Sequence, residues 1–247
     1  MPFFRKKKVI KFIPCIDSDE ATETVSSIVC DFVNQKKQVI LGFSAGATVK
    51  KLYEQIALKS KKNKISFENV VSFNTDEYIA INKRYQKYSK TNFMNNFLFS
   101  KIDIKLENTY FPTLNNYKTY DEQINKMGGL DLLILSVGPN GYIGFNEPNT
   151  KFNSITHIGK LENNTRTHLM IFFDEKINVP TEIITMGIKT ILSAKKIILL
   201  ANGHAKAAAI SKLFGGKYTS TWPVTALMYH KDVTIYADID ACRLIQT

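Results

Sequence analysis

Four short polar stretches of this chain hold the residue types from which a small-molecule site is built, and each follows an apolar run. In "GFSAGAT" (Gly42 to Thr48), small residues let backbone N–H groups close on an anion. The helical segment that follows turns its positive end the same way. Read without a ligand, this stretch is a tight strand-to-helix turn. "NTDEY" (Asn74 to Tyr78) sets the adjacent carboxylates Asp76 and Glu77 at a strand end, where a carboxylate can serve as general base. Its plainer reading is a cap made by Asp76. "GPNGYIGFNEP" (Gly138 to Pro148) bends at Gly138, Gly141 and Gly144 and carries Asn140, Tyr142 and Glu147. In "NGHAKAAA" (Asn202 to Ala209), Lys206 lies in the first turns of a helix, where an ammonium can join the helix dipole on a phosphate. His204 at that helix start reads as a cap or surface residue rather than an acid–base group.

The elements that must position these loops alternate along the chain. Asp17 with Glu20 opens a capping-box-like start, and Val25, Ile28, Val29, Phe32 and Val33 follow the helical period. Short apolar runs at Gln38–Phe43, Asn69–Asn74, Leu130–Val137, Lys195–Ala201 and Asp232–Asp238 predict buried strands. Between them lie helical patterns over 48–58, 84–99, 117–127 (closed by Gly128 and Gly129) and 203–214 (stopped by Gly215 and Gly216). Continuous apolar strands alternating with amphipathic helices predict an α/β fold, a three-layer α/β/α sandwich with a mostly parallel central sheet. No repeat or linker divides residues 1–247, so a single domain is expected. In such sheets ligands bind beyond the carboxyl ends of the strands, which is where the four loops fall.

Composition narrows the partners. A net charge of +11 invites nucleic acid, yet the positive charge is nearly all scattered lysine, with arginine only at Arg5, Arg84, Arg166 and Arg243. There is no zinc-finger spacing and no basic helix with base-reading side chains. An anionic small molecule suits the same charge. No apolar run approaches the roughly 20 residues of a membrane span. "MPFFRKKKVIKFI" lacks the continuous apolar region of a signal peptide. Cys15, Cys30 and Cys242 are far apart and out of metal-ligand spacing, so a reducing cytoplasm is the expected location.

In order and spacing, these loops resemble the glucosamine-6-phosphate deaminase (isomerase) family, related to the 6-phosphogluconolactonases. The resemblance runs from about Ile40 to Asp238 through "VVSFNTDEY", "GGLDLLILSVGPNGYIGFNEP", "ITMGIKTILSAKKIILLANGHAKAAA" and "LMYHKDVTIYAD". It implies conversion of a hexosamine 6-phosphate to fructose 6-phosphate and ammonia, with no cofactor and no metal. It also implies a small sugar phosphate as partner and possible homo-oligomer formation. Asp76 would move the proton from C2 to C1, Glu147 and Asn140 would belong to the ring-opening group, and Ser44, Gly46, Ala47, Thr48, Gly138 and Lys206 would hold the substrate and its phosphate.

Three departures fall in this one predicted pocket. Tyr142 stands where the family carries its ring-opening histidine, and an unperturbed phenol titrates near ~10 against ~6.5 for imidazole. Ala45 replaces the threonine of the phosphate loop, and Ile171 replaces an arginine before "FFD", removing a bidentate clamp. Arg166 matches a different family arginine. The expectation is therefore a deaminase of reduced or altered competence. The alternatives are a catalytically weak sugar-phosphate binding or regulatory homologue, or a galactosamine-6-phosphate isomerase.

Overall fold

The computed structural model describes residues 10–79, 83–173 and 179–245. The basic start of the chain (residues 1–9) and Asp174 of "FFD" lie outside them. The chain opens with β1 (Lys11–Cys15) and α1 (Ser18–Asn34), followed by β2 (Val39–Phe43), α2 (Ala47–Asn63) and β3 (Val70–Asn74). Asp17 caps α1 as its spacing predicts, accepting from the N–H groups of Asp19 and Glu20 at 2.9 Å each. The returning carboxylate of Glu20 takes the N–H of Ile16.

The next elements are β4 (Asp76–Tyr78), α3 (Lys90–Phe97), β5 (Thr109–Tyr110), α4 (Tyr120–Lys126) and β6 (Leu132–Ser136). The continuous helix expected over 84–99 is interrupted. A 3-10 segment (Lys83–Tyr88) ends at Ser89, whose Oγ accepts from the Asn92 N–H and starts α3 afresh. The rest comprises β7 (His157–Lys160), α5 (Asn163–Met170), β8 (Glu182–Thr185), α6 (Ile188–Leu192), β9 (Ile197–Ala201), α7 (Ala207–Lys212), β10 (Val233–Asp238) and α8 (Ile239–Cys242). His204–Lys206 form a 3-10 turn leading into α7 rather than its first α-helical turn.

Seven strands in the order β1-β10-β9-β6-β2-β3-β5 form one sheet, in which every pairing is parallel. Alternation along β6 shows why both faces must be covered: Leu133 and Leu135 enter one core, Leu132 and Ile134 the other. Val29, Leu52, Tyr53 and Met94 of α1, α2 and α3 close the second face. Tyr120, Ile191, Ile210 and Ala241 of α4, α6, α7 and α8 close the first. The three-layer α/β/α architecture is therefore present. Apolar runs do not reveal β1, because Pro14 interrupts it; the strand is tolerated at the sheet edge, where a missing N–H costs no ladder bond.

A small antiparallel sheet, β4-β8-β7, stands beside the main one. The chain passes between the two at Thr75, whose N–H reaches the Phe43 carbonyl (2.9 Å) and whose carbonyl receives the Met186 N–H (2.7 Å). Asp76 is thus the second residue beyond the carboxyl end of β3 and the first of β4. The order reverses between β2 and β6, and the loops after these two strands flank that crevice.

Candidate active site

A cavity of about 530 Å3 opens at this crevice, and parts of all four sequence-predicted loops line it. Ser44 to Thr48 form one wall at the start of α2, whose first residue follows Gly46, and Lys206 joins them. This is the anion-attracting end: a long helix directs its free N–H groups inward beside an ammonium. Burial lowers the Lys206 ammonium to a pKa of about 8. His168 of α5, which the sequence did not single out, lines the same cavity. Its imidazole is held below the ordinary range by burial and by the charge of Lys206. Ile171 is 74% exposed and does not line the cavity, so nothing at that position replaces a clamping arginine.

Asp76 also lines the cavity, 2% exposed. Its Oδ2 accepts from the Thr75 hydroxyl at 2.6 Å, and its Oδ1 is buried with no hydrogen-bond partner among the described residues. Burial raises its carboxyl to a pKa of about 6, against the opposing pull of Lys90. The capping role considered for Asp76 belongs to its neighbour. Glu77 accepts from the N–H groups of Lys90 and Thr91 (2.9 Å each) and from the Thr91 hydroxyl (2.7 Å), pinning the start of α3. Successive strand residues face opposite ways, so the "DE" pair divides into a cavity-facing carboxylate and a structural one.

Glu147, Asn140 and Gly138 are near the cavity but not on its wall. Glu147 Oε2 accepts from Asn140 Nδ2 (2.8 Å) and the Thr165 hydroxyl (3.1 Å), and its Oε1 from the Glu162 N–H (3.3 Å). Burial raises this carboxyl too. Asn140 Oδ1 in turn receives the Tyr142 N–H at 3.2 Å, so the network ends on the backbone of residue 142, not on its phenol. Among the described residues the Tyr142 hydroxyl has no hydrogen-bond partner. Its ring stacks on Phe145 at 5.1 Å, and burial pushes the phenol well above its usual range. The Tyr142 ring occupies the space that a side chain at Gly138 would need.

Lys90 is the main residue that sequence reasoning missed. It is 7% exposed, and its ammonium donates to the Ala45 carbonyl at 3.1 Å. That ammonium also lies 4.7 Å from the Tyr78 ring centre and 5.1 Å from that of Phe145. One signal was available: a lysine in the first turn of a helix opposes the helix dipole and calls for a compensating acid nearby.

The likeness to known proteins covers nearly all of the chain. The family described as glucosamine-6-phosphate isomerases/6-phosphogluconolactonase matches residues 18–236. A glucosamine-6-phosphate deaminase of Mycoplasma mycoides subsp. mycoides SC is 40% identical, covering 94% of this chain and 96% of that protein. The deaminase of Halalkalibacterium halodurans is 37% identical, over 96% and 98% respectively. A solved monomeric glucosamine-6-phosphate deaminase superposes with a TM-score of 0.91 at 34% identity, covering 95% of this chain and all (100%) of that one. The Trypanosoma cruzi 6-phosphogluconolactonase shares the fold at a TM-score of 0.76 and 15% identity. With the sheet order, the crevice and these matches in agreement, this chain belongs to the glucosamine-6-phosphate isomerase/6-phosphogluconolactonase family.

Proposed function

We propose that this protein is a glucosamine-6-phosphate deaminase, converting the amino-sugar phosphate and water to fructose 6-phosphate and ammonia. One observation carries this reading. A buried carboxylate with a free oxygen, Asp76, shares a cavity with an anion-attracting end formed by the α2 N-terminus and Lys206. A phosphate anchored at that end leaves the sugar carbons to extend toward Asp76.

In the open-chain substrate, Asp76 as carboxylate takes the C2 proton. The C2–H electron pair forms a C1–C2 double bond, the carbonyl electrons move to the C1 oxygen, and that oxygen takes a proton from the C2 ammonium to leave an enolamine. Return of the proton to C1 gives an imine at C2. Addition of water there expels ammonia and leaves the ketose. A pKa of about 6 keeps Asp76 ionised at neutral pH, yet basic enough to be useful. The Glu147–Asn140 network holds the loop that carries Tyr142.

Ring opening is where this site is weakest. A phenol held above its usual range is a poor proton shuttle at neutral pH, and general acid–base help of this kind is worth about 10²–10⁴ in rate. That observation favours a second reading, in which the chain binds a sugar phosphate with little turnover. Galactosamine 6-phosphate is the alternative substrate. We also take residues 1–247 to act as one domain in a reducing cytoplasm, consistent with Cys15 and Cys30, whose burial raises each thiol to about 11.

Ammonia release from glucosamine 6-phosphate, coupled to an ammonia-consuming dehydrogenase, tests the deaminase reading. Turnover that Asp76→Asn abolishes supports it. No release above buffer from either hexosamine phosphate, together with thermal stabilisation by both, selects the binding reading instead.

A further inference from the structure

We propose that Lys90 is a positioning residue for Asp76: its ammonium, held over the rings of Tyr78 and Phe145 and tied to the Ala45 carbonyl, keeps the neighbouring carboxylate charged in the cavity that both residues line. This inference rests on Asp76 acting as the base of the proposed reaction.

The placement of Lys90 is costly in two ways. A buried ammonium loses its hydration, and one in the first turn of α3 faces the positive end of the helix. The carbonyl of Ala45 and the faces of two rings replace only part of the lost water. What holds the charge is Tyr78, which is also hydrogen-bonded to it, together with the acidic pair on β4. Glu77 already accepts from the backbone of α3, whereas Asp76 Oδ1 accepts from nothing among the described residues. Lys90 and Asp76 therefore line one cavity as buried opposite charges, each of which favours the charged form of the other. Burial works to lower the lysine, and the facing Tyr78, Asp76 and Glu77 outweigh it, leaving the ammonium above its usual range.

The other titratable groups that feel Asp76 cannot do this. Tyr53 of α2, Tyr120 of α4, Tyr78 of β4 and Tyr142 of the loop after β6 carry no positive charge, and Glu77 adds charge of the wrong sign. Lys206 and His168 line the same cavity, but neither contributes to the shift of Asp76. Among the described residues, Lys90 is the cation that acts on Asp76.

The pH profile of kcat/KM for ammonia release, taken between about pH 5 and 9, separates positioning from mere structural support. Without the ammonium the Asp76 carboxylate is disfavoured, so Lys90→Met should move the acid limb upward by about one pH unit or more. Lys90→Arg should return the limb toward its original position. A uniform loss at every pH in Lys90→Met, with the limb unmoved, would overturn the proposal and leave Lys90 as a tie to the Ala45 loop.

A second measurement needs no turnover. An acid whose pKa is raised by folding lowers stability as pH rises through the shifted window. The melting temperature of Lys90→Met should keep falling with pH beyond the point where the wild type levels off. Adding Asp76→Asn should erase that difference. Coincident melting profiles for the two proteins would refute the coupling, whereas an inactive wild type with the melting difference present refutes only the deaminase reading.

Discussion

The ring of Tyr142 lies directly on Gly138: a Cβ added at residue 138 would meet Tyr142 Cε1 at 2.2 Å and Cδ1 at 2.3 Å. The Gly138 N–H also donates to the Tyr142 carbonyl at 2.8 Å. The two residues close a tight loop whose ring is backed on its other side by Phe145. A ring stacked on Phe145 has little room to retreat. Gly138→Ala should therefore cost about 1–3 kcal/mol of stability in denaturant unfolding, as overpacking does. In a double-mutant cycle with Tyr142→Ala, much of that cost should vanish. Additive losses would show that the clash is relieved by backbone movement instead.

Tyr142→His should raise kcat at neutral pH by about tenfold or more, since general acid–base help is typically worth 10²–10⁴. An imidazole titrates near ~6.5, within reach of the working pH, and the buried phenol does not. The acid limb of the rate profile should stay near 6, where Asp76 titrates, because the base must be deprotonated to act. If the substitution leaves kcat unchanged, the missing phosphate contacts at Ala45 and Ile171 limit the enzyme.

Glu147 should matter through the loop it holds. Glu147→Gln keeps the shape but can turn an amide NH2 toward Asn140 Nδ2 and the Thr165 hydroxyl, which now donate to the carboxylate. Losing such a buried acceptor costs about 1–3 kcal/mol. A fall in melting temperature together with a lower kcat is expected. An unchanged melting curve would place the carboxylate outside the structural network.

Anion binding should weaken in alkali. The Lys206 ammonium is present below its pKa of about 8 and is lost above it. The thermal shift produced by inorganic phosphate should accordingly shrink as pH rises past about 8, because one of the charges that favours the anion disappears. Lys206→Met should reduce that shift and its pH dependence together. His168→Ala should reduce it further at the acid end, and a phosphate response indifferent to both substitutions would remove the anion site from this end of the cavity.

Much of this protein was legible in its residues. The apolar runs that become β2, β3, β6, β9 and β10 are long enough, and apolar enough on both faces, to have no other use. The loops "SAGAT", "TDEY" and "NGHAK" meet in one cavity because strands of a parallel sheet present their carboxyl ends on the same side.

Other features depend on contacts between distant segments. The division of labour between Asp76 and Glu77 follows from a three-residue strand, β4, that exists only because β8 pairs with it. The break at Ser89 depends on Glu77 reaching α3, and the burial of Lys90 depends on Tyr78, Phe145 and Ala45 arriving from three separate stretches. Residue types and local period therefore determined the layers and the chemical inventory of the site. Which carboxylate faces the substrate, which lysine is its partner and where the phenol points were decided by packing, because side-chain direction and desolvation are set by neighbours remote in sequence.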